Sequence, residues 1–247
     1  MKAMVFAAGL GTRLKPITDS IPKALVPVCG EPLLGHVLRK LVASGYDDIV
    51  VNVHHFAGQI REYLDSHDFG VRISVSDESD LLRETGGAVR HARPLLEGGG
   101  NFLIHNVDII SDLDLQWFRN ACRPEALATL LVSDRQTQRY FLFDDSMRLV
   151  GWTNLASGEV RSPYPGLDAG KCRRLAFAGI HNISPRIFEV FDSYGCPERF
   201  SIVDFYLRAC AEYPIYGVVP GSITLIDVGK LDSLALAEQL CTKLCCR

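Results

Sequence analysis

Residues 6–34 read FAAGLGTRLKPITDSIPKALVPVCGEPLL. Ala3 to Ala7, which runs into this stretch, is a short continuous apolar run, the pattern of a strand covered on both faces. On the far side, Leu33 to Ala43 has helical spacing, with Pro32 suited to a first turn and Gly45 to a stop. Between them lies an unusually long strand-to-helix connection that holds Gly9, Gly11, Thr12, Arg13, Lys15 and Lys23. Long connections in compact domains are usually functional or disordered. Glycines let the backbone approach a ligand closely, and successive N–H groups cradle phosphate oxygens. Ala7 and Ala8 are small enough for a flat base to lie on the backbone. Arg13 can grip a phosphate through two parallel hydrogen bonds, and Lys23 adds a compact charge where a second phosphate could sit. Gly9 and Gly11 alone would be explained by a tight turn with basic residues at the surface. Two familiar phosphate motifs are excluded: G-x-G-x-x-G fails at Leu14, and G-x-x-x-x-G-K-[ST] is absent.

The βα order continues outward from this loop. Asp48 to Val53, Val71 to Val75 and Asn101 to His105 read as strands. Gly58 to Leu64 and Gly87 to Leu96 read as helices, the second shortened or kinked by Pro94. Asp114 is placed to cap a helix that runs to about Cys122. Strands and helices in alternation predict a mainly parallel α/β sheet with helices on both faces. The second half is less regular. Leu127 to Val132, Tyr140 to Phe143, Leu149 to Trp152, Leu175 to Ile183, Ile215 to Val219 and Ile223 to Val228 read as strands. Helices are expected near Pro185 to Phe191, Ile202 to Ala211 and Leu231 to Leu244, and Ser157 to Cys172 as a loop rich in Gly, Pro and Ser. One compact domain over residues 1–247 is the simplest division, with a smaller antiparallel insert.

Composition narrows the function class. Of 247 residues, 47% are hydrophobic and 22% charged, as in ordinary globular proteins, so the chain can bury a core without metal or disulfide staples. A net charge of −3 leaves no electrostatic footprint for duplex nucleic acid or an anionic membrane. No apolar run approaches the ~20 residues that span a bilayer. Lys2 and the apolar stretch after it could imitate a signal peptide, but Gly9, Gly11, Arg13 and Lys15 interrupt it and no cleavage site closes it, which predicts a cytoplasmic protein. The eight cysteines form no C-x-x-C pair and are expected to be reduced and mostly buried; Cys241, Cys245 and Cys246 cluster at the C-terminus, where a frayed helix would make a poor metal cage. His54 and His55, adjacent at a strand end, point in opposite directions and make a poor metal pair. His105 is expected in the core or at a rim, and Asp204 in a structural role on an amphipathic helix. Oligomeric state, monomer or homodimer, is not readable.

Gly9, Gly11, Thr12, Arg13, Leu14, Pro16 and Thr18, followed by Pro22, Lys23, Leu25, Pro27 and Val28, spell G-x-G-T-R-L-x-P-x-T and P-K-x-L-x-P-V. This pattern resembles the sugar-1-phosphate nucleotidyltransferases, and the resemblance continues through most of the chain. It implies a Rossmann-like (GT-A-like), mostly parallel mixed sheet flanked by helices, with a small antiparallel sugar-binding insert. The nucleotide half would be about residues 1–113 and the sugar half about 114–247. It also implies that the loop wraps a nucleoside triphosphate, that Arg13 holds the departing pyrophosphate, and that Lys23 bridges the α-phosphate and the sugar phosphate.

Asp108 stands at the carboxyl end of a predicted strand, where ligands bind in open α/β sheets. Asp227 ends another short apolar run. Each alone reads as a cap or turn residue; together with the phosphate loop they could converge on one Mg²⁺, which takes a few carboxylates and completes its shell with waters and phosphates. The resemblance maps Asn106 and Asp108 onto an N-G-D motif and Asp227 onto W-x-D-x-G-T, both aspartates as metal ligands. Val107 replaces the Gly of the first motif, which crowds the backbone near ribose and sugar; Leu225 and Lys230 replace the Trp and Thr of the second.

Glu84-Thr85-Gly86-Gly87 precedes a helix, and its exposed N–H groups could meet a base edge and ribose; a glycine-flanked helix start explains it equally well. The E-T-G-G form resembles the short uridylyltransferases that act on N-acetylmuramic acid 1-phosphate, and so implies UTP rather than GTP. Phe177 to Ile180 matches the segment that closes over the sugar, where Gly179 would offer backbone to a hydroxyl; an ordinary buried strand glycine is the other reading. The Glu-Lys-Pro sugar motif of many relatives is missing or altered, with only Glu159-Val160-Arg161 near its place. The implied reaction joins a nucleoside triphosphate to a sugar 1-phosphate and releases pyrophosphate. The chain after Asp227 is too short for the β-helix of bifunctional relatives, which predicts a single activity. GTP with mannose 1-phosphate, a non-catalytic regulatory subunit that binds nucleotide-sugar, and a dinucleotide-dependent oxidoreductase are the alternatives.

Overall fold

A computed structural model describes residues 1–245, their side chains as far as residue 239. The chain runs β1 (Lys2–Phe6), β2 (Pro27–Val28), β3 (Glu31–Pro32), α1 (Leu33–Ala43), β4 (Asp48–Val53), α2 (Ala57–Ser66), β5 (Arg72–Asp77), α3 (Glu84–His91), α4 (Arg93–Leu96), β6 (Phe102–Asn106), β7 (Ile109–Ser111) and α5 (Leu115–Ala121). It continues with β8 (Ala128–Ser133), β9 (Arg139–Phe143), β10 (Leu149–Asn154), β11 (Glu159–Arg161), β12 (Arg173–Ile183), α6 (Ile187–Ser193), α7 (Ile202–Ala209), β13 (Ile215–Val218), β14 (Leu225–Asp227) and α8 (Leu231–Cys245).

Alternation decides which side each strand residue faces. Ala3 and Val5 of β1 pack into one apolar cluster and Met4 into the other; Ile49, Val51 and Val53 of β4 oppose Val50 in the same way. The sheet is therefore buried on both faces. Helix α1 covers one face with Leu33, Leu34, Val37, Leu38 and Leu41, and α7 covers the other with Ile202, Phe205 and Tyr206. Asp114 caps α5 as its position predicts, accepting from the amides of Gln116 and Trp117.

The expected mixed α/β sheet is present. Strands β6, β1, β4 and β5 are parallel and adjacent in that order. Strand β12 then pairs antiparallel with β6 and carries the sheet into a second, antiparallel half, β9, β10 and β11, with β8 and β13 branching from it. The register of β12 slips between Phe177 and His181, around Gly179. That glycine has φ +72, and a Cβ on it would lie 2.7 Å from Asn106 Nδ2, so the bend needs a residue without a side chain.

Several expectations shift. The helix at Pro94 is shortened, as expected, and it is also split: α3 ends at His91 and a separate turn, α4, starts at Arg93 with Pro94 inside it. The segment 157–172 is not all loop, because β11 pairs Glu159 to Arg161 with β10. Of the cysteines whose side chains are described, only Cys196 and Cys210 are buried. Cys241, Cys245 and Cys246 lie outside the residues with described side chains. Among the described residues no helix is long and apolar enough to cross a membrane.

Candidate active site

The loop after β1 folds back on itself through Thr18. Its hydroxyl donates to the Gly11 carbonyl at 2.8 Å, and the Leu14 amide donates to the same oxygen at 2.9 Å. Gly11 has φ +65, and a Cβ there would meet Thr18 Cγ2 at 2.9 Å and Lys23 Cβ at 3.0 Å. Only glycine allows this closure. Thr12 and Arg13, in a single 3₁₀ turn, are left exposed.

Beside the carboxyl ends of β1, β4 and β6 lies a cavity of about 210 Å³, where ligands bind in open α/β sheets. Ala7, Ala8, Gly9, Lys23, Glu84, Asn106 and Asp108 line it, as do Val107, Asn52 and Glu78. The sequence reading missed the last two. Glu78 is fully buried, and its carboxylate accepts from Asn52 Nδ2 at 2.8 Å and from the Arg83 amide at 3.2 Å. Asn52 Oδ1 in turn accepts from the Ala7 amide at 2.7 Å. This chain of bonds fixes the small-residue floor to the opposite wall. A polar Asn52 interrupting the apolar run from Ile49 to Val53 was its one visible signal. Val107 is 4% exposed and belongs to the core, so its bulk is taken up largely by packing rather than by crowding the cavity.

A second cavity of about 660 Å³ is lined by Arg13 and Asp227 together with Arg135, Arg139, Arg161, Trp152 and Asp204. Asp204, expected to be merely structural, pairs with Arg161 at 2.8 Å on this wall.

The two aspartates, Asp108 on the first cavity and Asp227 on the second, are drawn together through the backbone. Strand β14 pairs antiparallel with β7, setting Asp227 opposite Ile109, and the Val228 amide donates to the Asp108 carbonyl at 2.8 Å. Asp227 opens onto the cleft yet lies deep enough among protein atoms that desolvation pushes its carboxyl up. The negative charge of Asp108 adds to this, and Lys23, Arg13 and Arg135 oppose it. The Lys23 ammonium is paired with Asp108 and is 9% exposed, so it is not the solvated side chain a flexible loop would give. Arg13 passes over Gly229: a Cβ there would stand 2.8 Å from Arg13 Nη2 and 2.7 Å from Asp227 Oδ1. Two hard carboxylates, one of them raised by burial and by the other's charge, suit a divalent cation that draws its remaining ligands from phosphates and water. Among the described residues no cluster of three or more such groups forms a closed metal cage.

Gly86 and Gly87 differ from expectation. Their amides both donate to the Phe200 carbonyl, at 2.8 and 3.2 Å, and are not free for a ligand. A Cβ on Gly86 would lie 2.3 Å from the Phe200 ring and one on Gly87 2.1 Å from the Glu198 carbonyl oxygen, so these glycines seat α3 against the 198–200 segment. Glu84, at φ +59, is the strained residue that turns the chain into α3 at the cavity edge. Gly179 lines neither cavity; its neighbour is Asn106. His105 is a core residue, as the sequence suggests, with Nδ1 at 2.8 Å from the Asn106 carbonyl.

Comparison with known proteins gives the family and the fold. The sequence model of a family described as Nucleotidyl transferase matches residues 2–141. The N-acetylmuramate alpha-1-phosphate uridylyltransferase of Caulobacter vibrioides is 35% identical over 244 residues, 96% of this chain and 95% of that protein. The mannose-1-phosphate guanylyltransferase catalytic subunit beta of Xenopus tropicalis is 35% identical over 119 residues, 47% of this chain and 33% of that protein. The solved inositol-1-phosphate CTP transferase from T. maritima superposes with a TM-score of 0.78 at 17% identity, covering 98% of this chain and 95% of that one; it shares the fold.

Proposed function

This chain belongs to the nucleotidyl transferase family, and from that premise we propose that it joins UTP to N-acetylmuramic acid 1-phosphate, or a closely related hexose 1-phosphate, with release of pyrophosphate. The observation that carries the reading is the β7–β14 clip, which brings Asp108, on the first cavity, close to Asp227, on the second, with Lys23 paired to Asp108. The likeness to the Caulobacter uridylyltransferase runs over 96% of the chain and so includes the second cavity. That supports uridine and an N-acetylmuramic sugar over guanosine and mannose.

In this reading the first cavity takes the nucleotide. Ala7, Ala8 and Gly9 form the base and ribose floor, held in place by Asn52 and Glu78. The second takes the sugar phosphate, whose oxygen attacks the α-phosphorus in line with departing pyrophosphate. That nucleophile is already ionised, so no general base is needed. The difficulty is electrostatic: two anions must approach, and charge must move to the leaving group. Lys23 leaves Asp108 for the phosphates and offsets their repulsion. Arg13 stabilises the departing pyrophosphate. Mg²⁺, which Asp108 and Asp227 would hold, supplies Lewis-acid polarisation of the α-phosphate when bound. The nucleotide half, about 1–113, and the sugar half, about 114–247, work as one domain, in the cytoplasm where UTP is made available.

The test is pyrophosphate release with Mg²⁺ across UTP, GTP, dTTP and CTP, each against N-acetylmuramic acid, N-acetylglucosamine, glucose and mannose 1-phosphates. Release with UTP and N-acetylmuramic acid 1-phosphate is expected. Release only with GTP and mannose 1-phosphate would overturn the substrate assignment. No release from folded protein that still binds nucleotide-sugar would favour a regulatory subunit.

A further inference from the structure

The second cavity holds more positive charge than the phosphate of an otherwise uncharged sugar needs. Four arginines, Arg13, Arg135, Arg139 and Arg161, face two carboxylates, Asp204 and Asp227. Arg13 and Asp227 belong to the phosphate end in the reading above. Arg135 donates to the Phe177 carbonyl at 3.1 Å, and Arg161 is held by Asp204. The Arg139 guanidinium has neither an ion pair nor a hydrogen bond among the described residues.

Sheet register sets where Arg139 stands. Phe141, Trp152 and Arg161 face one another across β9, β10 and β11, so they share one face of this antiparallel half. Arg139, two residues before Phe141 on β9, shares that face. The result is an aromatic floor, Phe141 and Trp152, with a guanidinium on either side, and Arg161 lies 5.7 Å from the Trp152 ring centre. Such a floor suits the apolar face of a pyranose, and a free guanidinium at its edge suits a carboxylate.

We propose that Arg139, with Arg161 in the same wall, forms an anion subsite for an acidic substituent on the sugar, so that the enzyme selects a sugar 1-phosphate carrying a second negative group. This deepens the reading above and rests on it. N-acetylmuramic acid differs from N-acetylglucosamine by a lactic acid ether, whose carboxylate is that second group. The charge count and the unpaired Arg139 supply the reason for the preference that the family fold alone does not.

The test measures kcat/KM with UTP for N-acetylmuramic acid 1-phosphate and N-acetylglucosamine 1-phosphate, in the wild type, Arg139→Gln and Arg139→Lys. Arg139 is exposed at a strand start, so its variants should fold. The wild type is expected to favour the acidic sugar. In Arg139→Gln that ratio falls by roughly 10- to 100-fold, the factor of one charge-assisted pair, with the change carried mainly by KM, and Arg139→Lys recovers part of it. An unchanged ratio in Arg139→Gln overturns the proposal. If the wild type uses neither pair, the substrate reading fails by itself. The same ratio is then taken between glucuronic acid 1-phosphate and glucose 1-phosphate, with the base that supports pyrophosphate release. An acid preference lost in Arg139→Gln keeps the subsite, and a wild-type preference for glucose removes it.

Discussion

The amide of Val228 donates to the carbonyl of Asp108 at 2.8 Å, which ties the neighbour of one acidic side chain to the residue that bears the other. This bond and the β7–β14 ladder hold two negative groups close before any substrate arrives. The arrangement sets catalytic electrostatics against stability.

Removing Asp227 should therefore separate stability from activity. Its folded-state carboxyl is raised by desolvation and by Asp108, so ionising it works against folding, and that cost is present at neutral pH. Asp227→Asn should raise Tm by about 1–2 °C in metal-free buffer, a small gain because the group opens onto solvent. Turnover should fall to background. Adding Mg²⁺ with UTP should raise the Tm of the wild type more than that of the variant. Differential scanning fluorimetry reads both, and a lower metal-free Tm for Asp227→Asn would refute the argument.

Lys23 gives a second separation. It is buried beside Asp108, so Lys23→Ala leaves a carboxylate without its partner as well as removing a charge from the phosphates. The stability cost should stay near 1–2 kcal/mol, because Asp108 keeps access to water. Turnover should drop about 100- to 1000-fold, as when one preorganised charge-stabilising group is lost. Urea unfolding and steady-state kinetics check the two halves. Near wild-type turnover would remove Lys23 from the phosphate path.

Two glycines test packing against positioning. At Gly87 a Cβ would fall 2.1 Å from the Glu198 carbonyl oxygen, and backbone cannot easily yield. Gly87→Ala should cost about 1–3 kcal/mol, the usual range for overpacking. At Gly229 the obstacles are the ends of two side chains, Arg13 and Asp227, which can swing away. Gly229→Ala should leave Tm within about 2 °C and lower kcat/KM about tenfold or more by displacing Arg13. Equal stability losses in both variants would contradict this distinction.

Much of this was legible in the sequence, and the exceptions have physical causes. The bounds of α1 and β4 are those that apolar spacing predicts, because both bury a continuous face. The glycine loop was readable because its residue types are costly outside their purpose. Gly86 and Gly87 misled because a glycine needed for close helix packing looks the same in sequence as one that meets a ligand. Strand β7 was missed because three residues carry no period, yet it anchors Asp227. Asn52 and Glu78 act through a partner brought from across the sheet, and sequence spacing does not encode that pairing. The role of Arg139 depends in the same way on the register of β9 against β10.

The last prediction concerns acid. His105 and His181 are buried in the core, where desolvation lowers their folded-state values from 6.5 to about 4 and about 3. His181 Nδ1 lies 2.7 Å from the Tyr206 hydroxyl, while His105 Nε2 has no partner among the described residues. In the unfolded chain both take a proton near pH 6.5. As pH falls below that, the unfolded state binds protons that the folded state refuses, so stability is complete above 6.5 and declines toward pH 4. Each histidine contributes a slope of about 1.4 kcal/mol per pH unit, or about 3 kcal/mol apiece by pH 4. Carboxylates such as Asp77, held at about 2 by bonds from Ser79 and Arg61, act only at lower pH, below 3.8. Urea unfolding at pH 7.5, 6.5, 5.5 and 4.5 should therefore show a steady loss beginning near 6.5. In His181→Gln, whose amide can still bond Tyr206, the slope between 6 and 4.5 should be about half that of the wild type. A wild-type stability that stays flat to pH 4.5 would mean that these imidazoles gain protons in the folded protein after all.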